Sequence, residues 1–194
     1  MKLNIVNSIE KEVIRRCKSS DNSNGYGAWT HHIKQVVDNA IILAKKYDTD
    51  VEIVTLAALL HDIASVTKAE YKEEHHIHGA EIAQELLSDL SYSQDKIDQV
   101  KKCILNHRGS RLHEKNTIEE VCVSDADAMA HFDNIPSLFN LVYREKKMSI
   151  DEGLRFVKSK LDRSYNKLSD DTKKLYKKKY NCVMDMFNNG DKND

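Results

Sequence analysis

One proline, Pro136, and six glycines are all the chain-breaking residues in a sequence of 194. So little punctuation excludes a β-sandwich, and it argues against a nucleotide-binding α/β fold. Neither a G-x-G-x-x-G loop nor a P-loop occurs, and there is no internal repeat. Long apolar runs are missing too: Leu56–Leu60 is far too short to span a bilayer. Met1–Ser20 alternates apolar with charged residues and lacks a signal-peptide core, so the cytoplasm is the expected location and no membrane partner is expected. Cysteines are few and scattered (Cys17, Cys103, Cys122, Cys182) with no C-x-x-C spacing, which excludes a disulfide framework or a zinc knuckle. Three of them sit in apolar helical patterns, as buried free thiols do. Charge of one sign is also lacking. With 30 Lys and Arg against 31 Asp and Glu, net −1, no nucleic-acid partner is expected.

What is present is a composition, 31% charged and 40% hydrophobic, that suits one soluble domain spanning residues 1–194. Helical periodicity runs almost throughout and predicts an all-α bundle. Residues 3–18 form an amphipathic helix, and a polar loop follows at 19–27. Helices are predicted at 30–47, 51–65, 79–90, 95–107 and 118–132, with loops at 67–78 and 108–116. The segment 51–65 is apolar on nearly every face and should be central. Two or three further helices fill 137–188 and are expected to pack on the same core. Among them, Lys173–Lys179 reads as a solvated helix face.

Against this apolar background some polar residues stand out. His61 and Asp62 interrupt Ile53–Ala64, the most apolar stretch of the chain. Burying an unpartnered carboxylate costs several kcal/mol, so such a group is paired or binds a metal. Adjacent helical residues point about 100° apart, so both reach one ion only if it lies near the helix flank. His32 shares an inward face with Val36, His107 with Val100 and Ile104, Asp127 with Val123 and Ala130, and Asp125 with Val121 and Met129. Polar groups from three or four helices thus enter one core, where a single cation would offset their combined desolvation. Imidazoles and carboxylates together suit Mn, Fe, Co, Ni, Zn or Mg. An ion with open positions can acidify water and polarise a phosphoryl group, which points to hydrolysis of a phosphate ester.

These residues resemble a known family. His32, the pair His61-Asp62, and an aspartate near 127 follow the order of the HD superfamily of metal-dependent phosphohydrolases, and "AALLHDIA" (57–64) resembles its central motif A-x-L-L-H-D-I-G. "DADAMAHF" (125–132) is similar to the D-x-D segment of the deoxynucleotide triphosphohydrolase branch. It is also similar to the A-D-x-L segment of the 5′-deoxynucleotidase and guanosine-tetraphosphate hydrolase branches. The resemblance covers about 28–135. It implies an all-helical fold in which His32, His61, Asp62 and Asp127 hold a divalent metal, with Asp125 orienting a neighbour or pairing with a basic residue. Ala64 replaces the motif's glycine, and alanine suits a helix at least as well. "HIHGAEIA" and "ILNHRGS" loosely resemble the extra histidines (His78, His107) of a binuclear branch that hydrolyses cyclic dinucleotides, although the spacing there is longer.

The expected function is metal-dependent hydrolysis of a phosphorylated small molecule, a nucleotide in the first instance. Asp62 takes part in proton transfer, His107 acts as general acid or substrate contact, and Arg108 and Arg111 clamp phosphate. His31, His75, His76, His113 and His131 read as surface or loop residues. Two other classes fit the same residues: a nucleotide- or alarmone-sensing module without turnover, and a di-iron oxygenase of the HD fold, which needs two metals. An exposed face among the C-terminal helices would suit a homodimer.

Overall fold

The computed structural model describes residues 4–108 and 115–188. Arg111 and His113 lie outside the described residues. No strand occurs among those described, and the fold is all-α. No described helix is long and apolar enough to cross a membrane.

The first half is built from α1 (Ile5–Cys17), α2 (Lys34–Lys46), α3 (Val51–Leu60), α4 (Ile63–Thr67), α5 (His75–Asp89) and α6 (Gln94–Asn106). The second half holds α7 (Ile118–Asp133), α8 (Ile135–Asn140), α9 (Ile150–Lys167) and α10 (Asp170–Asn188). Caps fix several starts. The Asp50 side chain accepts from the backbone N–H groups of Glu52 and Ile53 at α3, and Thr117 accepts from Glu120 at α7. Ser149 and Glu152 form a reciprocal capping box at α9.

As its composition demands, α3 is central, with every residue from Ile53 to Leu60 buried. It packs on α1, α2, α6 and α7. Cys17, Cys103 and Cys122 are buried free thiols, and Cys182 is exposed. The C-terminal helices carry an apolar cluster of their own around Phe132, Val142, Val157, Leu161 and Val183. Tyr165 and Tyr176 touch both this cluster and the main core.

Three boundaries depart from the sequence reading, and each shapes the site. The continuous helix expected over 51–65 breaks after Leu60; Asp62 leaves helical geometry at φ −111°, ψ 14°, before α4 begins. Before α2 the chain makes a wide π-helical turn at Trp29–Ile33, which carries His32. Helix α5 starts at His75 rather than Gly79 and has no side-chain cap to announce it.

Gly79 explains how α5 comes so close. A Cβ there would stand 3.3 Å from Ile104 Cγ2, 3.7 Å from the His61 carbonyl and 3.8 Å from that of Leu60. The absent side chain lets α5 lie against the α3–α4 break, one turn beyond His75. Gly79→Ala is therefore expected to be tolerated within about 1 kcal/mol, and Gly79→Leu to cost about 1–3 kcal/mol by overpacking, as measured by urea unfolding.

Candidate metal centre

The α3–α4 break sets His61 and Asp62 side by side, and His32 from the π-helical turn and Asp127 from α7 meet them there. His32 Nε2 lies 3.3 Å from His61 Nε2, 3.3 Å from Asp127 Oδ1 and 3.5 Å from Asp62 Oδ2. His61 Nε2 is also 3.5 Å from Asp62 Oδ2. The other oxygen of Asp62 faces a second group: Oδ1 is 3.6 Å from His75 Nε2, which in turn is 3.3 Å from His107 Nε2. Within His32–His61–Asp127, and within Asp62–His75–His107, the donor atoms all lie within 4.8 Å of one another.

The hydrogen bonds behind these rings decide which nitrogens are bare. Nδ1 of His61 donates to the Ala58 carbonyl at 2.7 Å, His75 to Lys72 at 2.8 Å and His107 to Ile104 at 2.6 Å. A carbonyl only accepts, so each Nδ1 carries a proton, and in the neutral form of such a ring the lone pair sits on Nε2. Burial, reinforced by His61, pushes His107 down to about 3, and burial likewise lowers His61. Burial also opposes charge on His32, but Asp127 and Asp62 outweigh it and raise His32 to about 9. Burial alone would raise both carboxyls. Instead the neighbouring histidines hold Asp62 well below the usual carboxylate range, and Lys167 with His32 does the same for Asp127. Bare nitrogens facing one another and two ionised carboxylates are a donor set that suits a divalent cation.

Other residues surround this centre. His131, one helical turn after Asp127, is buried, with Nε2 3.8 Å from Asp127 Oδ1 and its ring stacked on His32 at 5.2 Å. Ser164 Oγ donates to the Lys160 carbonyl at 2.9 Å and so accepts from His131 Nδ1 at 3.0 Å. Lys167 Nζ lies 2.5 Å from Asp127 Oδ2 and donates to the His107 carbonyl at 3.1 Å. Asp125, fully buried, accepts from the backbone N–H of Ser169 at 3.0 Å and from its hydroxyl at 2.5 Å. Its partner is thus a serine and not a basic residue. The cavity over the centre measures about 1070 Å³, and Lys72, Arg108, Arg144, Lys160, Arg163 and Lys167 are among the residues lining it.

Several readings of the histidines need correction. His75 and His131 belong to the cavity, and His76 is buried, so none of the three is a surface residue. His75 went unrecognised because its placement depends on α5 starting a turn early. His131 carried a usable signal, its i+4 spacing from Asp127. His78 instead stacks on Tyr71 at 4.3 Å and pairs with Glu81 at 3.2 Å. Arg108 does line the cavity, with its guanidinium donating to the Glu73 carbonyl.

The family model described as "HD domain" matches residues 29–131, more than half of the chain. The chain belongs to the HD domain family. Its relatives include an uncharacterised protein of Clostridium beijerinckii, 27% identical over 106 residues, covering 48% of this chain and 68% of that one. Among solved structures, Bacillus subtilis YpgQ superposes with a TM-score of 0.70 at 18% identity over 98% of this chain and 96% of its own. The same protein in complex with ADP gives 0.68 at 18% identity, covering 96% of each chain. A predicted HD superfamily hydrolase from an uncultured Thermotogales bacterium gives 0.59 at 20% identity, over 94% of this chain and 86% of its own. At such identities these structures establish the fold, and the HD domain match establishes the family.

The shifted histidines give the metal-free HD domain a stability optimum in pH. Unfolded, His107 takes up a proton below about 6.5; folded, it stays neutral down to about 3. Its contribution is present above pH 6.5 and is lost as pH falls toward 3, by up to ~1.4 kcal/mol per pH unit. His32 runs the other way: its contribution is full below about 6.5 and is lost as pH rises through about 9. Urea unfolding of chelator-treated protein from pH 4 to 10 should show both limbs, and His107→Asn should make the acid one shallower, leaving the part that the lowered His61 and His131 contribute.

Proposed function

We propose that this chain is a metal-dependent phosphohydrolase acting on a nucleotide. One observation carries the proposal: His32, His61, Asp62 and Asp127 converge beneath a cavity walled by Lys and Arg, bringing together two ionised carboxylates, the bare Nε2 of His61 and a His32 ring whose proton a cation would displace. In this reading those four residues would hold one divalent cation, and Asp62, His75 and His107 could hold a second. Bound there, a divalent cation supplies Lewis acidity toward a phosphoryl oxygen and makes water a stronger acid. Mn, Fe, Co, Ni, Zn and Mg all match the donors.

The protein's own groups do the rest. Asp62, ionised and facing both donor groups, is the residue proposed to orient the attacking water and take up its proton. His107, expected from the sequence as a general acid or substrate contact, is held neutral, and in this reading it offers its lone pair to the second donor group. Arg108 offers phosphate a forked donor from the cavity wall. Arg111 is proposed as a second clamp from its sequence position alone. The ADP bound by YpgQ supports a nucleotide substrate. We further propose that residues 1–194 work as one unit, because α9 closes the cavity that the 28–135 region opens. The second donor group meets the two-metal requirement of the oxygenase reading as well, so iron-dependent oxygen uptake without phosphate release would decide for that alternative.

Two results are expected. Wild type with added Mn, Co, Ni or Mg should release phosphate from a nucleotide panel, with Asp62→Ala and Asp127→Ala each at least about a hundredfold slower; equal rates in all three proteins would end the proposal. Because His32 is protonated up to about pH 9, Mn²⁺ binding at pH 7.5 should release roughly one proton, read by calorimetry in buffers of different ionisation enthalpy.

A further inference from the structure

We propose that the cavity-facing side of α9 is an anion subsite, built around Lys160 and Lys167, that binds the flanking phosphates of a ligand carrying a chain of two or more. This deepens the hydrolase reading and rests on it for the position of the reacting phosphate. Lys160, Ser164 and Lys167 follow one another at i, i+4 and i+7 and all line the cavity. The two lysines stand two helical turns apart, about 10 Å along the axis. One therefore lies over the donor groups and the other lies farther out.

Their partners differ in a telling way. Lys167 is engaged, with its ammonium on Asp127 and the His107 carbonyl. Lys160 is partly buried, and among the described residues no carboxylate lies within ion-pair distance of it. A partly covered ammonium with no carboxylate in contact, and only the longer-range fields of Asp127 and Asp62 opposing its desolvation, is costly to keep, and one that opens into a cavity is suited to an anion supplied from outside. Ser164 is not that anion's ligand. Its hydroxyl is committed to the Lys160 carbonyl and to His131, which locks this turn of α9 against α7. Lysines act as point charges and tolerate many oxygen geometries, as a run of phosphates presents. The exposed residues Arg144 and Lys146 add positive charge to the same lining, with Glu145 between them, and about 1070 Å³ leaves room beyond a single phosphate. A monophosphate would satisfy the donor groups and leave Lys160 unmet.

The test is calorimetric binding of ADP, AMP and inorganic tripolyphosphate to the full chain with Mn²⁺ present. Wild type should bind ADP and tripolyphosphate about tenfold or more tighter than AMP. Tripolyphosphate matching ADP would mean that the phosphate chain is what is read; ADP alone being tight would mean that the subsite works together with a nucleoside contact. Lys160→Met should weaken ADP about tenfold and AMP less than about twofold, and Lys160→Arg should restore most of the difference. Equal binding of ADP by wild type and Lys160→Met, or equal loss for ADP and AMP, overturns the subsite. If Lys160→Met does not fold, salt decides on wild type: the gap between ADP and AMP must narrow as NaCl rises, and a constant gap overturns the proposal. Lys160-dependent ADP binding with no turnover of any nucleotide would sink the hydrolase reading and leave the subsite. Turnover without Lys160 dependence would do the reverse.

Discussion

Everything at the centre of this molecule follows from an electrostatic conflict that the fold itself imposes. Backbone carbonyls at Ala58, Lys72 and Ile104 take the Nδ1 protons of three histidines, forcing their lone pairs inward beside two ionised carboxylates. Such a set repels itself unless positive charge sits among it. In the metal-free protein, part of that charge comes from the protonated ring of His32 and part from the ammonium of Lys167. Both are removable: a proton can leave and a lysine can swing aside. The arrangement is held ready by helices, and its neutralising charge is exchangeable.

The break between α3 and α4 converts a buried apolar helix into a site. A continuous helix would have splayed His61 and Asp62 about 100° apart. With Asp62 outside helical geometry, its two oxygens serve two donor groups at once. Gly79 completes the effect by letting α5 approach the break, so that backbone proximity, set by a missing side chain, brings His75 within 3.6 Å of Asp62.

The all-α fold and the centrality of α3 were legible because helical periodicity and near-absent punctuation are direct consequences of burial and backbone geometry. The convergence of His32, His61, Asp62 and Asp127 was legible as polar residues placed on apolar faces. What stayed hidden depended on tertiary contact. The start of α5 carries no cap, so His75 read as loop. The π-helical turn at Trp29–Ile33 looks, in sequence, like the first turn of an ordinary helix. Lys160 and Lys167 share one face of α9, but in a helix this rich in charge that spacing is indistinguishable from a solvated surface; only the cavity separates the two cases. Asp125 was recognised as special, yet its partner, Ser169, lies 44 residues away in the α9–α10 corner.

That last contact ties two distances together. Asp125 grips Ser169, and Asp127, two residues on, grips Lys167, two residues before Ser169. Both ties start from one rigid turn of α7, so the reach of the α9 ammonium groups is gauged from the same backbone that presents the carboxylate to a cation. A chain of this design cannot lengthen or shorten the corner at Leu168 without uncoupling its positive arm from its negative anchor.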